Sequence, residues 1–173
     1  AIYDDVTGKW CYENEYPLTR TEWTKFYLHS NPGKTAAEPP YGLISREMPG
    51  SEEPDSYIIP DSRRQIQAGK PVIAYATEPL IEDLRVWGPA VIVFYGSTTS
   101  MDTIWCVKLG DVDHDGQVKF LLQVHPQGHL KASFREVDES RSKPGQPFHP
   151  FQNPVLPEPG KIYEYQIEMH PIF

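Results

Sequence analysis

The sequence predicts an all-β fold, a two-sheet sandwich with little helix, on three observations. The first is strict alternation of apolar and polar side chains across residues 101–140 and again across 161–169, which is the period of half-buried strands and not of helices. The second is a pair of turn signals, Asp113-His114-Asp115-Gly116 and His125-Pro126-Gln127-Gly128. Their glycines, Gly116 and Gly128, can take the positive φ that closing a hairpin usually demands. The third is the uneven spread of 18 prolines and 12 glycines between short apolar runs, as expected of strands with long connections. Eight or nine strands joined by long crossing loops describe a jelly roll.

Taken in order, residues 1–6 read as a short extended segment, followed by a polar, aromatic stretch to Trp23. Residues 23–28 form a strand with Phe26 and Leu28 pointing one way, and Asn31-Pro32-Gly33 stops it. Beyond Pro39-Pro40, residues 41–48 make a further strand with Leu43 inward, and 49–55 is a solvated loop. Residues 56–59 resume β character, 62–69 is an exposed loop or one helical turn, and 72–76 is a strand apolar on both sides. The run 90–95 is the most apolar in the chain, and its β-branched residues after Gly88-Pro89 predict a strand buried on both faces.

Three strands of a meander come next. Trp105, Val107 and Leu109 oppose Ile104 and Cys106; Val118, Phe120, Leu122 and Val124 oppose Lys119 and Gln123; Leu130, Ala132 and Phe134 alternate with Lys131, Ser133 and Arg135. Six prolines from Pro144 to Pro159 then mark a long irregular connection crossing from one part of the sheet to another. The last strand sets Tyr163, Tyr165, Ile167 and Met169 on a dry face and Glu164, Gln166 and Glu168 on a wet one.

A chain of 173 residues suits one domain, 1–173, burying roughly 70% of its unfolded surface. Hydrophobic content of 39% with 12% aromatic is that of a globular protein. A net charge of −8 argues against nucleic acid and anionic membranes, whose phosphates need a basic surface. No apolar run reaches the roughly 18 residues of a membrane span, and the N-terminal residues lack the pattern of a signal peptide. Cys11 and Cys106 decide little and read as free, buried thiols; separately, a soluble protein of the cytoplasm is the favoured expectation. A disulfide between them stays open, because separation in sequence does not give distance.

The serine-nucleophile elbow needs a glycine two residues before the serine, and no serine here has one; Gly96-Ser97 is a residue too close. The histidines His29, His114, His125, His129, His149 and His170 are scattered, and His125 and His129 read as solvent-facing turn residues. Asp111, Asp113 and Asp115, ahead of Gly116, copy the start of a calcium loop. Such a loop also needs a bidentate Glu at its twelfth position, which here is Leu122, so the segment is expected to be a hairpin turn and not a metal site. No catalytic residue and no cofactor is expected. Trp10, Tyr12, Tyr16 and Trp23 are dense enough to stack sugar rings, as in a free-standing carbohydrate-binding module, or to dock on a neighbouring domain. Docking is the favoured expectation.

The order Asp102-Thr103, Val107-Lys108-Leu109, Asp111-Val112, Asp115-Gly116, Leu130 and Ala132-Ser133-Phe134-Arg135-Glu136 resembles the C-terminal non-catalytic domain of the X-Pro dipeptidyl-peptidase family, which includes cocaine-esterase-like and α-amino-acid ester hydrolase-like serine hydrolases. Thr77-Glu78-Pro79-Leu80, Asp83 and Gly88-Pro89 are similar to the family's segment on the N-terminal side of that run. His149-Pro150, Pro159-Gly160 and Tyr163-Glu164 are similar to the segment on its C-terminal side, and Trp10, Glu15-Tyr16-Pro17, Thr21 and Tyr27-Leu28 to the family's entry into the domain. The resemblance implies a jelly-roll, galactose-binding-like domain packed on an α/β-hydrolase catalytic domain, in the same or another chain, with the Ser-His-Asp triad lying there. Its implied role is to brace that core and shape the entrance to the active site. The family's domain usually continues past the 163–169 strand, so the chain is expected to be naturally short or part of a longer hydrolase. Its final strand edge is then expected to be covered, or to pair with another chain.

Overall fold

The computed structural model describes residues 2–4, 7–31, 42–59, 73–121 and 127–172. Among them the strands are β1 (Ile2–Asp4), β2 (Lys9–Cys11), β3 (Tyr27–His29), β4 (Gly42–Ser45), β5 (Tyr75–Ala76), β6 (Gly88–Gly96), β7 (Ile104–Val107), β8 (Gly110–Val112), β9 (Val118–Phe120), β10 (Gly128–Lys131) and β11 (Tyr163–Ile172). The only helical piece among the described residues is a 3-10 turn at Ala132–Phe134, so the fold class is all-β. No helix among them is long and apolar enough to cross a membrane. The chain divides into two compact units, one of Ala1–Thr21 with Val86–Phe173 and one of Glu22–Arg85.

The first unit is organised on β6 and β11, an antiparallel ladder running from Tyr163↔Gly96 to Met169↔Ala90. Its alternation sends Tyr165 and Ile167 of β11, with Phe94 and Ile92 opposite them, to one face. A second antiparallel ladder, β7 with β10, contributes Trp105, Val107 and Leu130 to the same core, and Ala132 completes it. The rings of Phe94, Trp105 and Tyr165 lie 5.3–5.4 Å apart, with an edge-on Phe94–Trp105 pair, a geometry that adds to the gain from burial alone. Val93 and Tyr95 of β6 are exposed, which corrects the expectation of burial on both faces. The Tyr95 hydroxyl instead donates to Glu164 Oε2 at 2.7 Å across the wet face of the ladder.

The meander also needs correction. The first strand breaks at Lys108-Leu109 into β7 and β8; β8 pairs with β9, but β10 pairs with β7 and not with β9. β9 and β10 therefore each run antiparallel to one of the two pieces of the first strand. Gln127 closes the break. Its side chain, 2% exposed, donates from Nε2 to the Leu109 carbonyl at 2.9 Å and accepts the Leu109 N–H at Oε1. Gly128 is not a turn residue but the buried first residue of β10. A Cβ there would lie 2.7 Å from the Glu168 carbonyl oxygen, so close approach to β11 is what calls for glycine. The third expected strand ends at Lys131, and the 3-10 turn starts where Asp102 Oδ1 accepts the Ser133 N–H at 3.1 Å.

Two backbone groups on the outer side of β11 are tied within the chain. The Gln166 carbonyl faces His149 Nε2 at 2.9 Å, and the His170 N–H donates to the Gln127 carbonyl at 2.9 Å. Cys11 and Cys106 are both free, but Cys106 is exposed and Cys11 half-buried, because Cys106 alternates to the outer face of β7.

In the second unit, β4 lies between β3, which is antiparallel to it, and β5, which is parallel. Gly42 is needed where the three strands crowd, since a Cβ would sit 2.3 Å from the His29 carbonyl oxygen and 2.4 Å from the Tyr75 ring. The expected strands shrink here: 23–28 becomes ladder only from Tyr27, with Phe26 exposed, and 41–48 only over β4. Residues 56–59 form no strand and leave Ile58 in solvent, while 62–69 lies outside the described residues.

Candidate functional site

The aromatic stretch begins on β2, with Trp10. The chain leaves the strand at Cys11 and bends through residues 12–20, held by two carboxylates. Glu13 pairs with Arg20, a bond that keeps the Glu13 carboxyl below its ordinary range. Glu15 accepts the Thr19 N–H at 2.9 Å as well as its hydroxyl. Buried Leu18 anchors the bend, and its carbonyl accepts the Thr21 N–H at 2.9 Å. On this frame Trp10 is 61% exposed and Tyr12 83%, with Tyr16 less so. Burial, followed by the field of Glu168, pushes the Tyr16 phenol up. Trp23 is exposed as well but belongs to the second unit.

At the β8–β9 turn, Asp113 Oδ1 accepts the N–H groups of Asp115 at 3.0 Å and Gln117 at 2.8 Å, and Gly116 takes φ 76°. Asp113, His114 and Asp115 hold potential ligand atoms within 4.8 Å of one another, all exposed. An oxygen already accepting two backbone N–H groups is poorly placed to ligate a cation. Asp111 lies on β8 opposite Lys119, while Leu122 and His125 fall outside the described residues. His129 is exposed on β10.

A second constellation, in Glu22–Arg85, was not legible from motifs. His29 Nδ1 meets Glu52 Oε1 at 2.9 Å, and its Nε2 faces Ser45 Oγ at 2.9 Å and the Glu47 carbonyl at 3.0 Å. The order Ser-His-carboxylate is that of a nucleophile relay, but the surroundings are not. A carbonyl can only accept, so a bond to it requires the proton on Nε2, whereas a general base needs a lone pair there. Ser45 Oγ also accepts the Glu47 N–H at 3.0 Å. The group is a brace: Glu52 further accepts from Ser30 N–H at 2.8 Å, and Asp55 accepts from Tyr75 O–H at 2.9 Å. A hollow of ≈ 310 Å3 beside it is lined by Leu43, Ala76, Thr77, Glu78 and Pro79, among others.

What the fold and these patches define is an all-β chain with aromatic and apolar side chains exposed on its surface and no assembled nucleophile relay among the described residues. Over residues 2–173 the chain matches the model of the X-Pro dipeptidyl-peptidase C-terminal non-catalytic domain, and it belongs to that family. It is also 27% identical over 182 residues to the cocaine esterase of Rhodococcus sp. (strain MB1 Bresler), an alignment that takes in 93% of this chain and 29% of the esterase. The chain thus spans less than a third of the curated relative's length.

Proposed function

We propose that this chain is a single β-sandwich domain of the jelly-roll, galactose-binding-like kind, and that it serves an α/β-hydrolase-type serine hydrolase, an acyl esterase or X-Pro dipeptidyl-peptidase. There it braces the catalytic domain and shapes access to its site. The observation that carries this is the family match, which runs unbroken through both compact units. The exposed rings of Trp10, Tyr12, Tyr16 and Trp23 support a docking role, since apolar rings left in water gain free energy when covered. The ties at the Gln166 carbonyl and the His170 N–H favour closure within the chain over self-association through the edge of β11. The two free thiols suit a soluble, reducing setting such as the cytoplasm.

The test compares the 173-residue chain with the whole polypeptide that carries it. The chain alone is expected to leave a p-nitrophenyl ester intact, while the whole polypeptide turns it over and loses heat resistance when residues 1–173 are removed. Turnover by the chain alone, blocked by a serine-directed inhibitor, overturns the reading. The same exposed rings also fit a free-standing carbohydrate-binding module. Glycan-array binding that disappears with Trp10→Ala or Trp23→Ala would establish that alternative.

A further inference from the structure

We propose that the proline-stiffened ridge of residues 149–162 is a surface by which this domain seats on the hydrolase's catalytic domain, with Phe151, Val155 and Leu156 as its apolar anchors. The inference rests on the docking role proposed for the domain and adds to it a surface that the aromatic stretch around Trp10 does not include.

The backbone is the first argument. Phe151 has φ 52° and Asn153 φ 50°. Asparagine visits this left-handed region with some ease, but a bulky phenylalanine does so only where its surroundings hold it there. Here a series of polar ties holds it. His149 has its two ring nitrogens 2.8 Å from the Glu136 carbonyl and 2.9 Å from that of Gln166. The Val155 N–H donates to the Ser133 carbonyl at 2.9 Å, and Arg135 Nη1 donates to the Val155 carbonyl at 2.6 Å. The Gly160 N–H donates to the Thr98 carbonyl at 2.8 Å, and Pro150, Pro154, Pro157 and Pro159 restrict φ between these ties.

The second argument is what this rigid frame displays. Phe151 is 61% exposed, Val155 58% and Leu156 52%, although the Phe151 ring is braced at 5.9 Å by Phe134 and at 5.7 Å by His149. A segment held this firmly around side chains left in water has already given up the entropy that binding would cost. Its chemistry also narrows the partner. Four prolines lack the N–H that an added strand would need, so recognition is by side chains and not by backbone pairing. Glu158 is matched by Lys161 at 2.6 Å, which leaves the ridge without a net charge to attract an ionic partner. A ridge without net charge and with aliphatic and aromatic anchors fits the apolar surface of a well-packed protein domain. The family supplies that domain: this is a C-terminal non-catalytic domain, and most of the curated relative's length lies outside the region this chain matches.

The test is hydroxyl-radical labelling of the 173-residue chain and of the whole polypeptide that carries it. Phe151 and Leu156 are expected to label at least tenfold more slowly in the whole polypeptide. Phe151→Asn, which suits a positive φ, and Leu156→Asp are expected to keep the melting temperature of the 173-residue chain while making the whole polypeptide's esterase activity more heat-sensitive. Protection around Trp10, Tyr12 and Tyr16 with Phe151 and Leu156 labelled at full rate overturns the ridge and leaves the docking reading standing. Full labelling at both places overturns both. Protection that appears in the 173-residue chain only as its concentration rises names a second copy as the occupant, against the proposal.

Discussion

Gln127 is a side chain acting as backbone. Where the strand partner of Leu109 is displaced, its amide supplies both an acceptor and a donor to that residue, while its own carbonyl accepts from His170. Gln127→Ala keeps the Leu121 bond to the Leu109 carbonyl but orphans the Leu109 N–H. The expected loss is about 1 kcal/mol in a urea titration, the low end of the cost of an unsatisfied donor because Leu109 is half-buried. Nothing in the sequence marked this glutamine, because its role depends on a break in the ladder that alternation does not reveal. Glu52 is the corresponding residue in Glu22–Arg85. The His29 hydrogen bond, followed by that from the Ser30 N–H, holds its carboxyl below the ordinary 4.5. A depressed folded value means that its contribution is present above the unfolded value and is lost as pH falls through the folded one. The stability gap between wild type and Glu52→Gln is therefore expected to narrow as the solution is acidified through and below the ordinary carboxylate range; urea melts across that range check it.

At the scale of the element, β11 was the most legible stretch, since an alternation of Tyr163, Tyr165, Ile167 and Met169 against charged and amide neighbours admits one orientation. Tyr165 is 0% exposed and Ile167 1%. Tyr165→Ala removes the ring that meets both Phe94 and Trp105 and is expected to cost about 3–5 kcal/mol by chemical denaturation. β6 was half legible: its apolar run identified a strand, but apolar content cannot say that Val93 and Tyr95 face water. The meander shows the limit of periodicity. Alternation assigns faces, and so placed Trp105, Val107 and Leu130 inward, but it does not assign neighbours. The pairing of β10 with β7 goes with the close approach of Gly128 to Glu168 on β11, a contact between residues far apart in sequence. Composition singled out the aromatic stretch around Trp10, whereas the backbone at Phe151 had no signal, because a positive φ at phenylalanine leaves no trace in the sequence.

At the scale of the whole molecule, the proposed single domain makes a thermodynamic claim about the two compact units. The first unit is discontinuous, so the chain leaves it after Thr21 and returns at Val86. The buried apolar residues among those described, Leu18, Leu130, Ala132, Tyr165, Ile167 and Met169, all belong to that unit. Glu22–Arg85 has only half-buried or exposed apolar side chains among its described residues, together with the His29–Glu52 and Tyr75–Asp55 brace. Polar braces near the surface each contribute little, and the described residues of this stretch supply no buried core to offset the chain entropy that folding removes. Glu22–Arg85 made as a separate peptide is therefore expected to be unfolded by circular dichroism. The 173-residue chain is expected to melt in one calorimetric transition, with an enthalpy of about 120 kcal/mol near 60 °C if every residue takes part. Two resolved transitions, or a folded 22–85 peptide, would divide the chain into two domains. The family match would then describe a pair of modules and not one sandwich.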